Sequence, residues 1–311
     1  MTEPAAVREA AGDPDVVVVA VTHDSSAVVE PFLRALPAAL DGLSSAHVVV
    51  VDNASSDGTV KTARCLAPWA TVLDAGGNLG YGAGLNVGLR HALGRRGVLV
   101  LNPDVVLEPG SVRRLLDAAE TEDVGIAVPR IVDTSGRLKF SLRREPTLLR
   151  AVGEALLGGH RAAKYPLLGD MIRDPEYYVD GATADWATGA AMFISTAALD
   201  SVGLLSEEFF LYSEETDYAL RARDAGYRLR YVERAVATHP GGAMETSPWL
   251  WSILAVNRTK LYRKRHGPVS SAAYWAVVVL NEAVRAALGR PTNRAALRAL
   301  LRGRAPVPPR R

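Results

Sequence analysis

The tripeptide Asn102-Pro103-Asp104 follows four consecutive apolar residues, 98–101. An unbroken apolar run predicts a strand buried on both faces, and Pro103 ends it because proline has no N–H to donate. The carboxylate of Asp104 is therefore expected just beyond the carboxyl end of a buried strand, where open α/β sheets bind ligands. A carboxylate in that place suits Mg²⁺ or Mn²⁺ carrying a diphosphate, although an aspartate that only closes a turn would give the same pattern.

A second group of acids opens a predicted helix over residues 214–225. Glu214 and Glu215 open this helix, where the helix dipole stabilises negative charge and the ionised form of a carboxylate. Asp217 and Arg221 are four residues apart and are expected to pair, which favours a supporting role for Asp217. Stabilisation of the helix start alone would explain the same acids.

Residues 76–88 form a glycine-rich segment after the third predicted strand. Glycine lets backbone approach a ligand closely. The Gly-x-Gly-x-x-Gly dinucleotide pattern fails here, because its third glycine would have to stand at Leu85 or Val87. The sequence also lacks the Gly-x-x-x-x-Gly-Lys-Ser/Thr phosphate loop. The segment therefore disfavours both of these nucleotide-binding folds.

Buried strands alternate with helices through the first half of the chain, which predicts a parallel, right-handed α/β sheet. The predicted strands are 15–21, 47–51, 71–73, 98–101 and 124–128. The predicted helices are 27–40, 109–120 and one that runs from the glycine-rich segment to about 93–94.

The second half is less regular. Its predicted elements are strands at 136–141, 185–195 and 228–236, helices at 147–157, 214–225, 248–266, 269–288 and 293–301, and a long loop at 158–178. We expect a disordered N-terminus over 1–14 and one α/β domain over 15–245. A basic helical extension over 246–303 and a disordered tail over 304–311 would follow it.

Composition is that of a globular protein: 48% of the 311 residues are hydrophobic and 23% are charged. Cys65 is the one cysteine, so no intramolecular disulfide can form, which fits a reducing compartment. The N-terminal residues lack the basic start and apolar core of a signal peptide. We therefore expect a cytoplasmic protein.

Charge is unevenly distributed along the chain. Residues 258–311 contain thirteen Lys or Arg and one acid, Glu282, for a net +12, whereas the remaining residues carry 23 basic and 33 acidic side chains, for −10. The imbalance predicts a C-terminal region that meets an anionic surface such as a membrane. A solvated basic helix, or packing against the α/β core, is the alternative. The apolar run 274–280 is interrupted too soon to span a bilayer.

An ordered set of motifs over Val16 to Gly242 resembles the family-two inverting glycosyltransferases with the GT-A fold. The motifs are Val-Thr-His-Asp-Ser (21–25), Val-Asp-Asn-Ala-Ser-Ser-Asp-Gly-Thr (51–59), Gly-Asn-Leu-Gly-Tyr-Gly-Ala-Gly-Leu-Asn (77–86), Asn-Pro-Asp (102–104), Trp-Ala-Thr-Gly-Ala (186–190), Phe-Phe-Leu-Tyr-Ser-Glu-Glu-Thr-Asp (209–217) and His-Pro-Gly-Gly (239–242). The glycine-rich motif with Asn-Pro-Asp is most similar to the rhamnosyltransferase branch. The implied fold is a Rossmann-like, mainly parallel sheet with flanking helices and a C-terminal helical extension.

The resemblance implies a donor site and a metal site. The implied donor-binding residues are Thr22, Asp52, Asn78, Gly80, Asn102 and Asp104. Asp52 would accept a hydrogen bond from a base N–H, although a turn cap is the plainer interpretation. Asp104 and His239 would hold a divalent metal, Mg²⁺ or Mn²⁺; a lone histidine is also compatible with a structural role.

The resemblance also implies a catalytic base and an acceptor side. Glu215 stands where the family has the aspartate of its Glu-Asp-x-Asp pattern, and the base stays open among Glu215, Asp217 and Glu214. The implied acceptor-binding residues are Trp186, Gly189, Ala190 and Glu214. An indole face packs against a sugar ring, but Trp186 would serve equally well in a core.

The implied activity is inverting, metal-dependent transfer of a sugar from a dTDP- or UDP-activated donor, with L-rhamnose from dTDP-rhamnose favoured. The acceptor would be a hydroxyl of a cell-wall, polysaccharide or lipid-linked glycan, with no nucleic acid involved. The enzyme would act in the bacterial cytoplasm and touch the inner face of the plasma membrane through 258–311. Alternatives are transfer to a small natural product, an inactive nucleotide-sugar-binding protein and a scaffold. A nucleotidyltransferase is disfavoured because 22–26 contains no Lys or Arg.

Overall fold

The computed structural model describes residues 15–91, 96–241 and 246–304, and these fold as two compact units. The α/β unit contains the described residues up to Leu142 together with Pro175–Phe210 and Glu214–Pro240. The helical unit contains Arg143–Asp174, Leu211–Ser213 and the described residues from Gly241 onwards. The ends predicted to be disordered, 1–14 and all of 304–311 except Arg304, lie outside the described residues.

Eleven strands are present in the described part of the chain. They are β1 (Val16–Thr22), β2 (Ala46–Asp52), β3 (Thr71–Asp74), β4 (Gly97–Leu101), β5 (Val106–Leu107), β6 (Val124–Val132), β7 (Leu142–Arg143), β8 (Thr183–Ala184), β9 (Trp186–Ala187), β10 (Ala191–Ser195) and β11 (Arg228–Thr238). Nine of them form one sheet in the order β3-β2-β1-β4-β10-β6-β11-β5, with β8 paired to β11; β7 pairs with β9 outside it.

The sheet is mixed: its parallel pairings agree with the predicted fold, and its antiparallel ones were not predicted. Strands β1 to β4 are parallel, but β10 is antiparallel to both β4 and β6. The residues just before β10 lie at the carboxyl edge of β4, since the Asn102 N–H donates to the Ala190 oxygen over 2.9 Å. The chain therefore enters β10 from that edge and must run in the opposite direction.

Helices cover the sheet and build the second unit. They are α1 (Val29–Ala39), α2 (Thr59–Leu66), α3 (Tyr81–Leu89), α4 (Ser111–Ala119), α5 (Leu148–Leu157), α6 (Gly159–Ala162), α7 (Thr196–Val202), α8 (Glu214–Asp224), α9 (Pro248–Arg265), α10 (Pro268–Ala287) and α11 (Pro291–Arg302). Helix α4 shows why they pack on the sheet: Val112, Leu115 and Leu116 recur at helical spacing and are all buried in the core of the α/β unit. Ala151, Tyr262, Tyr274 and Leu300 help to form a separate core in the helical unit.

Three sequence predictions differ from the structure. Residues 136–141 form no strand, because a turn at Asp133–Arg137 leaves only Leu138 bridged to Val132. The predicted strand 185–195 is split into β9 and β10 by a turn, and the predicted loop 158–178 contains α6 and a 3-10 turn at Pro175–Tyr177. Helix α3 ends at Leu89, and residues 92–95, where the predicted end falls, lie outside the described residues.

Candidate functional site

The ends of β1 and β2 fix one carboxylate in place. Thr22 lies opposite Asp52 in the parallel register, and its hydroxyl donates to Asp52 Oδ1 over 3.0 Å. The Ser55 N–H donates to Asp52 Oδ2 over 2.9 Å, and the Ser55 hydroxyl donates to Oδ1 over 2.6 Å. Asp52 is only 5% exposed and Thr22 is fully buried. The Thr22 hydroxyl therefore positions the Asp52 carboxylate.

Asn53 ties the glycine-rich segment to these strand ends. Its N–H donates to the Thr22 oxygen over 2.7 Å, and its side-chain amide donates to the Gly80 oxygen over 2.8 Å. Its side-chain oxygen accepts from the Leu79 N–H over 3.3 Å. The sequence singled out Asp52 in this cluster of turn-forming residues and missed its buried neighbour.

Gly80 sits where no other residue would fit. It has φ +88°, and an added Cβ would collide with the carbonyl oxygen of Phe210. The Phe210 oxygen also accepts from the Tyr81 N–H over 2.8 Å, at the start of α3. The Gly80 N–H donates to Asn78 Oδ1 over 3.2 Å, so the side-chain amide oxygen of Asn78 stabilises the loop in which both residues lie.

Asp104 and His239, which the resemblance implies as metal ligands, lie side by side. Asp104 Oδ2 lies 3.3 Å from His239 Nε2, and the backbone N–H of His239 donates to the Val132 oxygen over 3.0 Å at the end of β11. The other carboxylate oxygen, Oδ1, is buried and accepts no hydrogen bond from any described residue. A buried, unpartnered carboxylate oxygen beside an imidazole nitrogen fits a divalent cation, which both atom types ligate.

The acids of α8 have different environments. Asp217 is 1% exposed and accepts from Arg221 Nε over 2.8 Å, which confirms the predicted pairing. Arg221 also donates to the oxygens of Val202 and Leu204 over 2.8 and 2.9 Å. Glu214 is buried, whereas Glu215 is half-buried. Of these acids, Glu215 is the one that solvent reaches most readily.

Gly189 brings the predicted acceptor side against α8. A Cβ on Gly189 would lie 3.1 Å from the Cβ of Glu215, so the backbone there passes directly over this carboxylate side chain. Ala190 is buried and bonded to Asn102, and Trp186 is half-buried in β9. Gly189 and Ala190 thus lie beside Glu215 and Asn102, respectively.

Tyr81, the first residue of α3, was not identified from the sequence. Burial, followed by the charges of Glu214, Glu215 and Asp104, raises the pKa of Tyr81 well above its usual range. The phenol therefore stays protonated, and its oxygen has no hydrogen-bond partner in the described ranges. The glycines on either side of Tyr81 indicated a ligand-binding segment, but no sequence pattern pointed to the Tyr81 side chain. Both groups of acids, which the sequence treats separately, therefore act electrostatically on Tyr81.

The chain matches a protein family and individual characterised proteins in sequence. The model of the family described as Glycosyl transferase family 2 matches residues 17–171. The chain is 33% identical over 233 residues to the N-acetylglucosaminyl-diphospho-decaprenol L-rhamnosyltransferase of Mycobacterium tuberculosis, covering 71% of this chain and 75% of that protein. It is 32% identical to the low-salt glycan biosynthesis hexosyltransferase Agl10 of Haloferax volcanii, covering 62% of this chain and 59% of that protein.

Solved structures show the same fold. The mannosyltransferase PcManGT of Pyrobaculum calidifontis, in complex with GDP-Man and Mn²⁺, matches with a TM-score of 0.56 and 18% identity, over 93% of this chain and 85% of that one. TarS of S. aureus matches with a TM-score of 0.52 and 16% identity, over 85% of this chain but only 42% of that one. At such identities the likeness shows the fold alone, and the predicted GT-A fold with C-terminal helices is confirmed.

Proposed function

Because the chain belongs to glycosyl transferase family 2 and is a glycosyltransferase, we propose that it transfers L-rhamnose from dTDP-rhamnose to a hydroxyl group of a lipid-linked glycan. The observation that carries this proposal is the 33% identity to a rhamnosyltransferase whose printed name specifies a decaprenyl-diphosphate-linked acceptor. The alignment covers three quarters of that relative, which supports a comparable reaction.

The donor site that we propose lies at the carboxyl ends of β1, β2 and β4. Asp52, held by Thr22 and Ser55, accepts a hydrogen bond from the nucleobase. The loop of Asn78 and Gly80 lies at the ribose and phosphates, where its backbone can approach the ligand, and Asn102 binds nearby.

Asp104 and His239 are the proposed ligands of the divalent metal, Mg²⁺ or Mn²⁺. No group of three or more His, Cys, Asp or Glu side chains is placed to hold a metal within residues 15–91, 96–241 and 246–304. Two protein ligands leave the other positions to donor phosphates and water, an arrangement common for Mg²⁺. The bound cation would offset the negative charge that develops on the departing diphosphate. Mn²⁺ in the PcManGT complex supports this assignment.

Glu215 is the proposed base. It removes the proton of the acceptor hydroxyl, whose oxygen then bonds to the anomeric carbon as the bond from that carbon to the nucleoside diphosphate breaks. Attack from the face opposite the leaving group inverts the anomeric configuration. Trp186, Gly189, Ala190 and Glu214 form the acceptor side. The Tyr81 hydroxyl, which is protonated and has no partner among the described residues, would donate a hydrogen bond to the bound ligand.

In the described part of the chain, no helix is both long enough and apolar enough to cross a membrane. We place the reaction in the bacterial cytoplasm. The charge of residues 258–311 supports peripheral contact with the inner face of the plasma membrane.

Calorimetric titration of dTDP and UDP, each with Mn²⁺ or with a chelator, tests the donor site. We expect metal-dependent binding, tighter for dTDP, that Asp104→Ala abolishes. Asp117→Ala, which removes a half-exposed carboxylate of α4, is the matched control and should bind as wild type does. Tighter binding of UDP would reassign the nucleobase. Binding without transfer of rhamnose to a lipid-linked acceptor would indicate a nucleotide-sugar-binding protein, and no nucleotide binding would refute the proposal.

A further inference from the structure

Large hydrophobic side chains are exposed mainly in the helical unit. Eleven of the fourteen found in the described ranges belong to it, although it is the smaller unit. They are Leu149, Leu156, Leu157, Tyr165, Leu167, Val269, Trp275, Leu280, Val284, Leu288 and Leu301. An exposed apolar surface of this kind marks a place where a protein meets something other than water.

Helix α10 and the residue that follows it carry the most regular part of this surface. Val269, Leu280, Val284 and Leu288 are 84%, 63%, 53% and 75% exposed. Together with the exposed Ala272 and Ala276, they recur every three or four residues and so lie on one face of the helix. Counting 1.5 Å per residue, this apolar face is about 30 Å long.

The two charged residues of α10 are directed away from that face. Glu282 is 2% exposed and accepts from Trp251 Nε1 over 3.0 Å and from Asn293 Nδ2 over 2.7 Å. Arg285 is half-buried and donates to the backbone oxygen of Glu154 over 3.5 Å. The outward face of α10 is therefore apolar along its whole length and carries no charge.

Helix α11 packs beside α10 and adds positive charge. Arg294, Arg298 and Arg302 recur every four residues on α11 and are exposed, as is Arg290 just before it. From residue 268 to residue 304 the sole acid is the buried Glu282. The surface of this two-helix segment thus combines an apolar face with an uncompensated row of guanidinium groups.

We propose that the outward face of α10 lies in the surface of an anionic lipid bilayer, with the arginines of α11 on the lipid phosphates. Interfacial helices bury an apolar face at the boundary between headgroups and acyl chains, and basic residues beside that face add attraction to anionic lipid. Trp275, 39% exposed on α10, is of the type enriched at that boundary. A second copy of the chain fits less well, because its matching surface is also basic and residues 268–304 offer no exposed acid to pair with the arginines.

This inference names the membrane-contacting surface of the proposed enzyme, and in that respect it rests on the proposed lipid-linked acceptor. Its test does not depend on catalysis. The full chain is sedimented with vesicles of phosphatidylcholine alone or of phosphatidylcholine with phosphatidylglycerol. We expect binding to the anionic vesicles, weaker binding to the neutral ones, and weakening as salt rises from about 0.05 M to about 0.5 M.

Two matched pairs of variants assign the surface. Val284→Gln should weaken vesicle binding about fivefold, whereas Val179→Gln in the α/β unit should not change it, since Val284 and Val179 are 53% and 54% exposed. Replacing Arg294 and Arg298 together by Gln should weaken binding about thirtyfold. Lys61→Gln with Arg64→Gln, two exposed basic residues of α2, is the charge control.

Three outcomes would overturn the inference: no binding to anionic vesicles, equal loss in Val179→Gln and Val284→Gln, or a wild-type dimer that Val284→Gln dissociates without any vesicle binding. Failure of the proposed function has a different signature. Vesicle binding that is lost in Val284→Gln, in a protein that transfers no rhamnose to vesicle-embedded or water-soluble acceptors, would leave this surface assigned and the activity refuted.

Discussion

The two units place their charged groups in opposite ways. In the α/β unit, strands such as β1 and β4 bury apolar side chains, and carboxylates lie at their ends. One carboxylate oxygen, Asp104 Oδ1, accepts no hydrogen bond from a described residue. In the helical unit, Arg258 is bound to Glu154 Oε2 at 3.3 Å and to the Tyr274 hydroxyl at 3.2 Å, while leucines and valines face outwards. The α/β unit thus presents carboxylates at its strand ends, whereas the helical unit buries acids such as Glu282 and presents an apolar face together with exposed arginines.

Part of the positive charge of residues 258–311 is paired inside the helical unit. Of the thirteen basic residues in 258–311, Arg258 is used internally, and Arg265 pairs with Glu145 at 3.3 Å. The net charge of the segment therefore overstates what a partner would meet. Exposed basic residues remain at the end of α9, at Arg263 and Lys264, and in and around α11, next to the helix that carries the apolar face.

The largest expected effect tests the α/β half of the comparison. Glu215→Gln removes the proposed base and should lower kcat by about a thousandfold, with dTDP binding unchanged because the donor site lies on other residues. Glu215→Asp, which keeps a carboxylate, should recover part of the rate. Glu208→Gln, an exposed acid in the turn before α8, is the control and should leave kcat unchanged. A large loss in Glu214→Gln with none in Glu215→Gln would move the base to Glu214.

A smaller effect concerns the backbone that shapes the donor loop. Gly80→Ala should lower the free energy of unfolding by about 3 kcal/mol, because the added Cβ meets the Phe210 carbonyl and φ is +88°. Gly76→Ala separates these causes, since Gly76 has φ +76° and nothing within 4 Å of an added Cβ. It should cost about 1 kcal/mol in urea denaturation. Equal losses would show that the close contact with Phe210 contributes nothing.

Local patterns predicted the parts of the site that depend on neighbouring residues. The apolar runs of β1, β2 and β4 and the turn-forming residues after them were sufficient to place Thr22, Asp52 and Asp104 at strand ends. The i, i+4 spacing of Asp217 and Arg221 likewise predicted their bond. In each case the determining interactions span a few residues, so composition and spacing contain the information.

Features set by distant contacts were not predictable in this way. The antiparallel direction of β10 follows from where the chain re-enters the sheet, which no local pattern encodes. The charges of Glu214, Glu215 and Asp104 act on Tyr81 only after folding, and the glycines beside it in the sequence do not indicate this. The outward face of α10 was equally undetermined, because the helix is apolar on several sides and only the structure shows that the side with Tyr274, Val278 and Glu282 packs inwards.

The smallest expected effect tests the helical half of the comparison, where a charge is buried rather than presented. Burial and the nearby charge of Asp170 raise the pKa of Glu154 to about 7, against the opposing effect of Arg258. The folded state therefore binds this proton more tightly than the unfolded chain, whose carboxyl has the ordinary value of 4.5. The free energy of unfolding should therefore fall as pH rises from about 4.5 to about 7 and level off above. Glu154→Gln imitates the protonated acid and should flatten this slope in urea denaturation at each pH.

Glu145→Gln, which removes another arginine-paired glutamate of the unit, is the control and should keep the slope. Parallel curves for wild type and Glu154→Gln would show that Glu154 is ionised throughout, and that the helical unit stores its charge as a fixed ion pair.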